Sequence, residues 1–164
     1  MVKKNEKIFV GIIMGSQSDW SIMKEAKDQL DQFDIKSEQL IISAHRTPNR
    51  ITKYAKNILK SNVKVIIAGA GGAAHLPGMM ASHTNIPVIG VPIESTSLNG
   101  IDSLLSIVQM PKGIPVATVS IGKTGAINAA ILAAEILSID NQDISKKLMG
   151  WKKSMSNKIP LEPK

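Results

Sequence analysis

Five short apolar runs rich in β-formers punctuate the chain: Ile8 to Met14, Gln39 to Ile42, Val63 to Ala68, Pro87 to Val91 and Val116 to Ile121. Strands this short and apolar, separated by helical patterns, predict a parallel sheet buried on both faces. After the first run, Ile22, Met23, Ala26, Leu30 and Phe33 mark one face of a helix. Lys24/Asp28 and Lys27/Asp31 form i,i+4 pairs on the other face. After the second run, Thr47 is placed to cap a helix with Pro48 at its first position, and Ile51, Tyr54, Ala55 and Ile58 come next at i, i+3, i+4 and i+7. The last long helix, Thr124 to Ile139, carries Ala126, Ile127, Ala129, Ala130, Ile131, Leu132, Ala133, Ala134, Ile136 and Leu137, which leaves almost no polar face. A helix apolar all round must be covered on all sides, and in so short a chain a second copy is expected to supply part of the cover. A short helix around Leu148 to Trp151 and a Pro-containing tail complete the pattern. The fold class expected is α/β, three layers around a five-stranded parallel sheet. It forms a single domain, 1–164, with its core at about 8–140 and a C-terminal helix and tail at 141–164.

Charge changes this picture less than its total suggests. The 164 residues carry a formal +7, but residues 1–7 and 143–164 hold nine Lys against Glu6, Asp143 and Glu162, so the body is nearly neutral. Arg46 and Arg50 are the only arginines, and Phe9, Trp20, Phe33, Tyr54 and Trp151 are scattered. Nucleic-acid readers combine clustered Arg with stacking rings, so no nucleic-acid partner is expected. The absence of Cys excludes disulfides, thiolate zinc sites and a Cys nucleophile. Lys3, Lys4 and Lys7 precede only a short apolar run without a small-residue cleavage site, and no apolar run reaches the ~18 residues of a membrane span. A cytoplasmic protein with no membrane partner is expected.

In open α/β sheets ligands bind beyond the carboxyl ends of the strands, and three segments there are unusual. Gly15-Ser16-Gln17-Ser18-Asp19 offers a turn, hydroxyls and a carboxylate opening a helix, which suits a phosphate; equally, Ser18 or Asp19 serves only as an N-cap. Ser43-Ala44-His45-Arg46-Thr47-Pro48 sets a titratable proton carrier beside a cation that can fork onto a phosphate or carboxylate, or else is a solvated loop. Gly69 to Gly78 has hardly any side chains, so its backbone amides can approach a ligand closely.

Two motifs are decoys. Gly69-Ala70-Gly71-Gly72-Ala73-Ala74 fits the dinucleotide fingerprint, with Glu94 at the right distance, but Pro77 confines the helix behind it and too little chain remains for two mononucleotide halves. Ala117 to Thr124 imitates a phosphate-binding loop, yet Ala117 replaces its first Gly, and Lys123 reads as an ordinary helix start. His45, His75 and His83 lack ligand spacing, so no metal is expected. His83 reads as solvated, His75 as either a helix-start or a pocket residue. No Ser carries a nucleophile elbow.

Together, M-G-S-x-S-D-W at 14–20, S-A-H-R-T-P at 43–48, A-G-A-G-G-A-A-H-L-P-G-M at 68–79 and S-I-V-Q-M-P-x-G-I-P-V at 106–116 closely resemble the PurE family, the N5-carboxyaminoimidazole ribonucleotide mutases of purine biosynthesis, over roughly residues 8–140. The third motif resembles the class I mutases rather than the carboxylases that use carbon dioxide. The resemblance implies a flavodoxin-like fold assembled as a homo-octamer and acting on a small-molecule ribonucleotide. It also implies that no cofactor or metal is needed, and that a carboxylate moves from the exocyclic nitrogen to ring carbon C4. By position, Ser16, Asp19 and Arg46 would bind the ribose phosphate, helped by Ser18 and Ser43; His45 would be the acid/base; Ala70, Gly71, Ala74, His75 and Leu76 would line the carboxylate pocket.

The chemistry of the residues agrees. A carbamate loses carbon dioxide once its nitrogen is protonated, and the electron-rich ring left behind can attack the trapped gas through C4. One group that gives a proton early and takes one late suffices. Histidine, with an unperturbed pKa of ~6.5, does both near neutrality. The rival readings are a non-catalytic phosphate- or nucleotide-binding flavodoxin-like module, in which His45 is incidental, and a dehydrogenase.

Overall fold

The structure, a computed structural model, describes residues 9–163. Ile8, expected to open the first strand, and Lys3, Lys4, Glu6, Lys7 and Lys164 of the charged ends lie outside the described residues. In chain order the elements are β1 (Val10–Met14), α1 (Trp20–Gln32), β2 (Ser37–Ile41), α2 (Pro48–Ile58), β3 (Val65–Gly71), α3 (Leu76–Ala81), β4 (Val88–Ile93), α4 (Ile101–Val108), β5 (Ala117–Thr118), α5 (Gly122–Ser138) and α6 (Gln142–Asn157). The strands form one five-stranded sheet, all parallel, in the order β2-β1-β3-β4-β5. The α/β class and the five parallel strands are therefore as expected from the apolar runs.

Alternation along each strand divides the core into two layers. Val10, Ile12 and Met14 of β1, Val65 and Ile67 of β3, and Ile89, Val91 and Ile93 of β4 pack with α1, α5 and α6. Ile13, Ile66, Ala68, Ala70 and Val88 point the other way, into α2, α3 and α4. The Lys24/Asp28 and Lys27/Asp31 pairs close on the solvent side of α1.

Four expectations need correction. β2 is an edge strand, starting at Ser37, with Leu40 and Ile41 exposed, so it is not buried on both faces. β5 is only two residues long, with Val119 still donating to the Gly90 carbonyl of β4 before the chain enters α5. α4 has no counterpart among the predicted elements, and the C-terminal helix is not short but spans sixteen residues. Asn141 caps it by accepting from the Asp143 and Ile144 amides. Ile144 and Leu148 are buried, and Trp151 meets the Phe33 ring edge-on at 5.7 Å. Two lysines of this basic segment pair within the fold, Lys147 with Asp34 and Lys152 with Glu135.

α5 is covered in part within the chain. Its Ala126, Ala129, Ala130, Ala133 and Ala134 are fully buried against α1, α6 and the sheet. Ile127, Ile131, Leu132 and Ile136 are only half-buried and Ile139, just past the helix, is exposed, so apolar surface remains that a second copy could cover. A further group of exposed apolar side chains lies on and before α4, at Leu98, Ile101, Leu105 and Val108.

Candidate active site

From β1 the chain crosses first to β2 on one side and then to β3 on the other, and this reversal opens a crevice at the carboxyl edge of the sheet. The segments after β1, β2, β3 and β4 line a cleft of about 450 Å³ there. A larger hollow, about 580 Å³, opens at the start of β4 around Leu59, His83 and Ile114; His83 is its only titratable lining residue and is exposed, as expected.

After β1, Ser16 caps a 3-10 turn, Gln17–Asp19, that leads into α1, and Asp19 stands at the cap position of α1 without a side-chain cap bond: Ser16 Oγ accepts from the Ser18 amide at 3.3 Å, and the Ser16 amide donates to Asp19 Oδ2 at 2.9 Å. The Ser16 and Ser18 hydroxyls lie 2.8 Å apart, and Ser18 also donates to Asp19 Oδ1. Asp19 is nearly buried, and burial raises its carboxyl above the ordinary carboxylate range. The Ser16 amide, the Ser18 hydroxyl, the Gly15 amide and the Arg46 charge oppose that rise.

After β2, Arg46 bridges the first two segments. Its Nε donates to Ser43 Oγ at 3.0 Å and its Nη2 to the Gly15 carbonyl at 3.1 Å. Thr47 stands at the cap position of α2, but its hydroxyl donates back to the Ser43 carbonyl instead of capping. These bonds hold a guanidinium with unused donors beside two hydroxyls, which is the equipment for an anion.

The loop after β3 supplies the other side of the cleft. Ala70 and Gly71 belong to β3 itself, so the small-residue stretch is half strand and half loop. His75 stands at the head of the six-residue helix α3, with Leu76 buried behind it. The two open readings of His75 are thus both true: it begins a helix and faces the cleft. His45 Nε2 and His75 Nδ1 are 2.8 Å apart, with the rings edge to face. At that distance one nitrogen must donate and the other accept, so a single proton lies between the rings.

Of the residues singled out by sequence, Ser16, Ser18, Asp19, Ser43, His45, Arg46, Ala70, Gly71, His75 and Leu76 line this one cleft. Ala74 does not; it is buried behind the wall, in the layer with α2 and α3. Ile93, Glu94 and Ser95 line the cleft without having been singled out as site residues. Their signal was available, since they stand at the carboxyl end of β4, whereas Glu94 drew notice only as part of the dinucleotide decoy. Among the described residues no group of three His, Asp or Glu is placed to hold a metal ion.

The family model for AIR carboxylase matches residues 9–158. The chain belongs to this family. Among its relatives, the N5-carboxyaminoimidazole ribonucleotide mutase of Bacillus subtilis is 61% identical over 139 residues, 85% of this chain and 86% of that one. The protein of the same name from Pyrococcus horikoshii is 59% identical, covering 95% of this chain and 87% of its own length. The crystal structure of Treponema denticola PurE superposes with a TM-score of 0.85 at 29% identity, over 93% of this chain and 94% of that one. The AIR carboxylase family model thus reaches past the four motifs to include all of α6, the element that the sequence pattern understated.

Proposed function

We propose that this chain is a class I N5-carboxyaminoimidazole ribonucleotide mutase and that His45 is its acid/base. The observation that carries the proposal is the His45–His75 pair, which shares one cleft with an anion-binding group of Ser16, Ser18 and Arg46. A ribonucleotide has its phosphate remote from its reacting ring, and the cleft separates the two functions in the same way. Ser16, Ser18, Ser43, Asp19 and Arg46 hold the ribose phosphate. Ala70, Gly71, His75 and Leu76 wall the reacting end, with Ala74 supporting that wall from behind.

In the forward direction His45 gives its proton to the exocyclic nitrogen, the nitrogen–carboxylate bond breaks with its electron pair staying on nitrogen, and carbon dioxide is released. Carbon C4 then attacks the gas with a ring electron pair. His45 removes the C4 proton, the pair returns to the ring, and the histidine ends as it began. The hydrogen bond between His45 Nε2 and His75 Nδ1 couples the tautomers of the two rings and so sets which His45 nitrogen carries the proton. The small walls offer no competing nucleophile, and confinement replaces a high gas concentration. No cofactor takes part.

The catalytic unit is the whole chain as one domain, acting in the cytoplasm; among the described residues no helix is long and apolar enough to cross a membrane. The assembly proposed is a homo-octamer. The exposed apolar face at α4, with Leu105 56% exposed, supports self-association, and the number of copies rests on the family likeness. The deciding experiment incubates the protein alone with the N-carboxylated ribonucleotide and monitors the ultraviolet change as the C4 acid forms. Binding without conversion would leave the non-catalytic module as the reading.

A further inference from the structure

The reacting end of the cleft is tied down from a direction that the substrate never meets. Ser103, on α4, is fully buried, and it is one of only four buried polar or charged side chains among the described residues. Its Oγ accepts from the Gly72 amide at 2.9 Å and donates to the Ile93 carbonyl at 2.6 Å. One hydroxyl therefore joins the end of β4 to the loop after β3, which lies 31 residues before Ser103 in sequence. Ser106, one turn on, points its hydroxyl at the Gly72 carbonyl from 3.4 Å while donating to Asp102.

Gly72 needs such a tie. It adopts φ +68, in the left-handed region, and the space where a Cβ would stand is empty for 4 Å, so no packing holds it from that side. The peptide between Gly71 and Gly72 forms the wall beside Ala70 and His75. Where that peptide sits decides whether the wall closes on a molecule as small as carbon dioxide.

We propose that Ser103 is a positioning residue for the carboxylate pocket: its paired hydrogen bonds hold the Gly71–Gly72 backbone against the released gas, so that the carbon leaving nitrogen is the carbon that reaches C4. This rests on the mutase reading above. It assigns to Ser103 no contact with substrate and no proton transfer. Removing the hydroxyl leaves the Gly72 amide and the Ile93 carbonyl without their partner, and the loop is then free to re-aim one of them toward water.

The test runs the mutase reaction in excess carbon-13 bicarbonate and reads label in the C4 acid at the earliest time points by mass spectrometry. It compares the wild-type protein with Ser103→Ala, Ser103→Thr and Gly72→Ala. The wild type is expected to incorporate little label. Ser103→Ala is expected to raise early incorporation several-fold and to lower kcat about tenfold, while KM, set at the distant phosphate, stays within about twofold. Ser103→Thr, which keeps the hydroxyl, should return label toward the wild-type value. Gly72→Ala strains the same loop from its open side without emptying any buried site, and it should leak as Ser103→Ala does. It decides the matter if Ser103→Ala fails to fold.

A folded Ser103→Ala that retains its carbon as the wild type does would overturn the proposal and leave the mutase reading intact. So would a retentive Gly72→Ala if it is the variant that decides. Full labelling of the wild-type product would overturn both gas retention and the role of Ser103, while conversion without a cofactor would still stand for the mutase. Failure of the wild type to convert the substrate at all would remove the mutase reading and this inference with it.

Discussion

At the scale of single residues, the cleft separates groups that bind from groups that react, and kinetics should separate them in the same way. His45→Asn is expected to bind the ribonucleotide nearly normally and to lose turnover by about 100-fold or more, the usual contribution of a general acid/base group. Single-turnover kinetics on saturated protein would show it, and near-wild-type turnover would remove His45 from the mechanism. Arg46→Ala and Ser16→Ala should mainly raise KM, because a phosphate contact is present in ground and transition states alike. A lower kcat at unchanged KM would place these residues at the wrong end of the substrate. Asp19 adds a pH signature. Burial raises its carboxyl in the folded chain, against the Ser16, Ser18, Gly15 and Arg46 interactions that lower it. The folded state thus holds this proton more tightly than the unfolded state does, so the group costs stability at pH above its folded pKa. That cost fades as the pH falls through the folded pKa toward the unfolded value of ~3.9. Asp19→Asn removes the ionisation, so the melting temperature of the variant minus that of the wild type should grow as pH rises from about 4 to 7. Parallel melting curves across that range would contradict it.

At the scale of elements, α5 is the keystone of one layer. Its alanines let α1 and the sheet approach closely, and at Gly125 an added Cβ would stand 1.7 Å from the Ser120 carbonyl oxygen, so the start of the helix tolerates no side chain there. Ala130 is fully buried among these contacts. Ala130→Glu should therefore unfold or precipitate the protein, because an unpartnered buried charge costs about 3 kcal/mol or more. The same change says nothing about assembly. A soluble variant melting with the wild type would show that α5 can move aside to solvate a charge.

At the scale of the whole molecule, the faces of the chain differ in what they leave uncovered. The α1, α5 and α6 layer packs Trp151 against Phe33 and pairs Lys152 with Glu135 at its rim, and it leaves Ile139, Met149 and Met155 exposed. The α4 face keeps Leu98, Ile101, Leu105 and Val108 in solvent while its inner side carries Ser103 and Ile107. Leu105→Glu should accordingly leave the folded chain intact and shift it to smaller species in sedimentation velocity. An unchanged sedimentation coefficient would exclude this face from the assembly.

Much of this organisation was legible in one dimension. Strands covered on both faces read as short continuous apolar runs and helices as apolar positions spaced by about 3.6 residues, and each pattern shows within a few residues. The cleft residues gather because parallel strands deliver their carboxyl ends to one edge, and Ser16, Ser43, His45 and Gly71 each lie within a few residues of the end of an apolar run. What covers an apolar surface is not a local property. The alanines of α5 required cover, and only packing showed that α1, α6 and the sheet supply it, while the outer side of α4 stays bare. Likewise, no window of sequence joins His45 to His75, 30 residues on, or Gly72 to Ser103, 31 residues on. Hydrogen bonds of about 3 Å are decided by where the sheet order β2-β1-β3-β4 sets the loops, and that order exists only once the chain has folded.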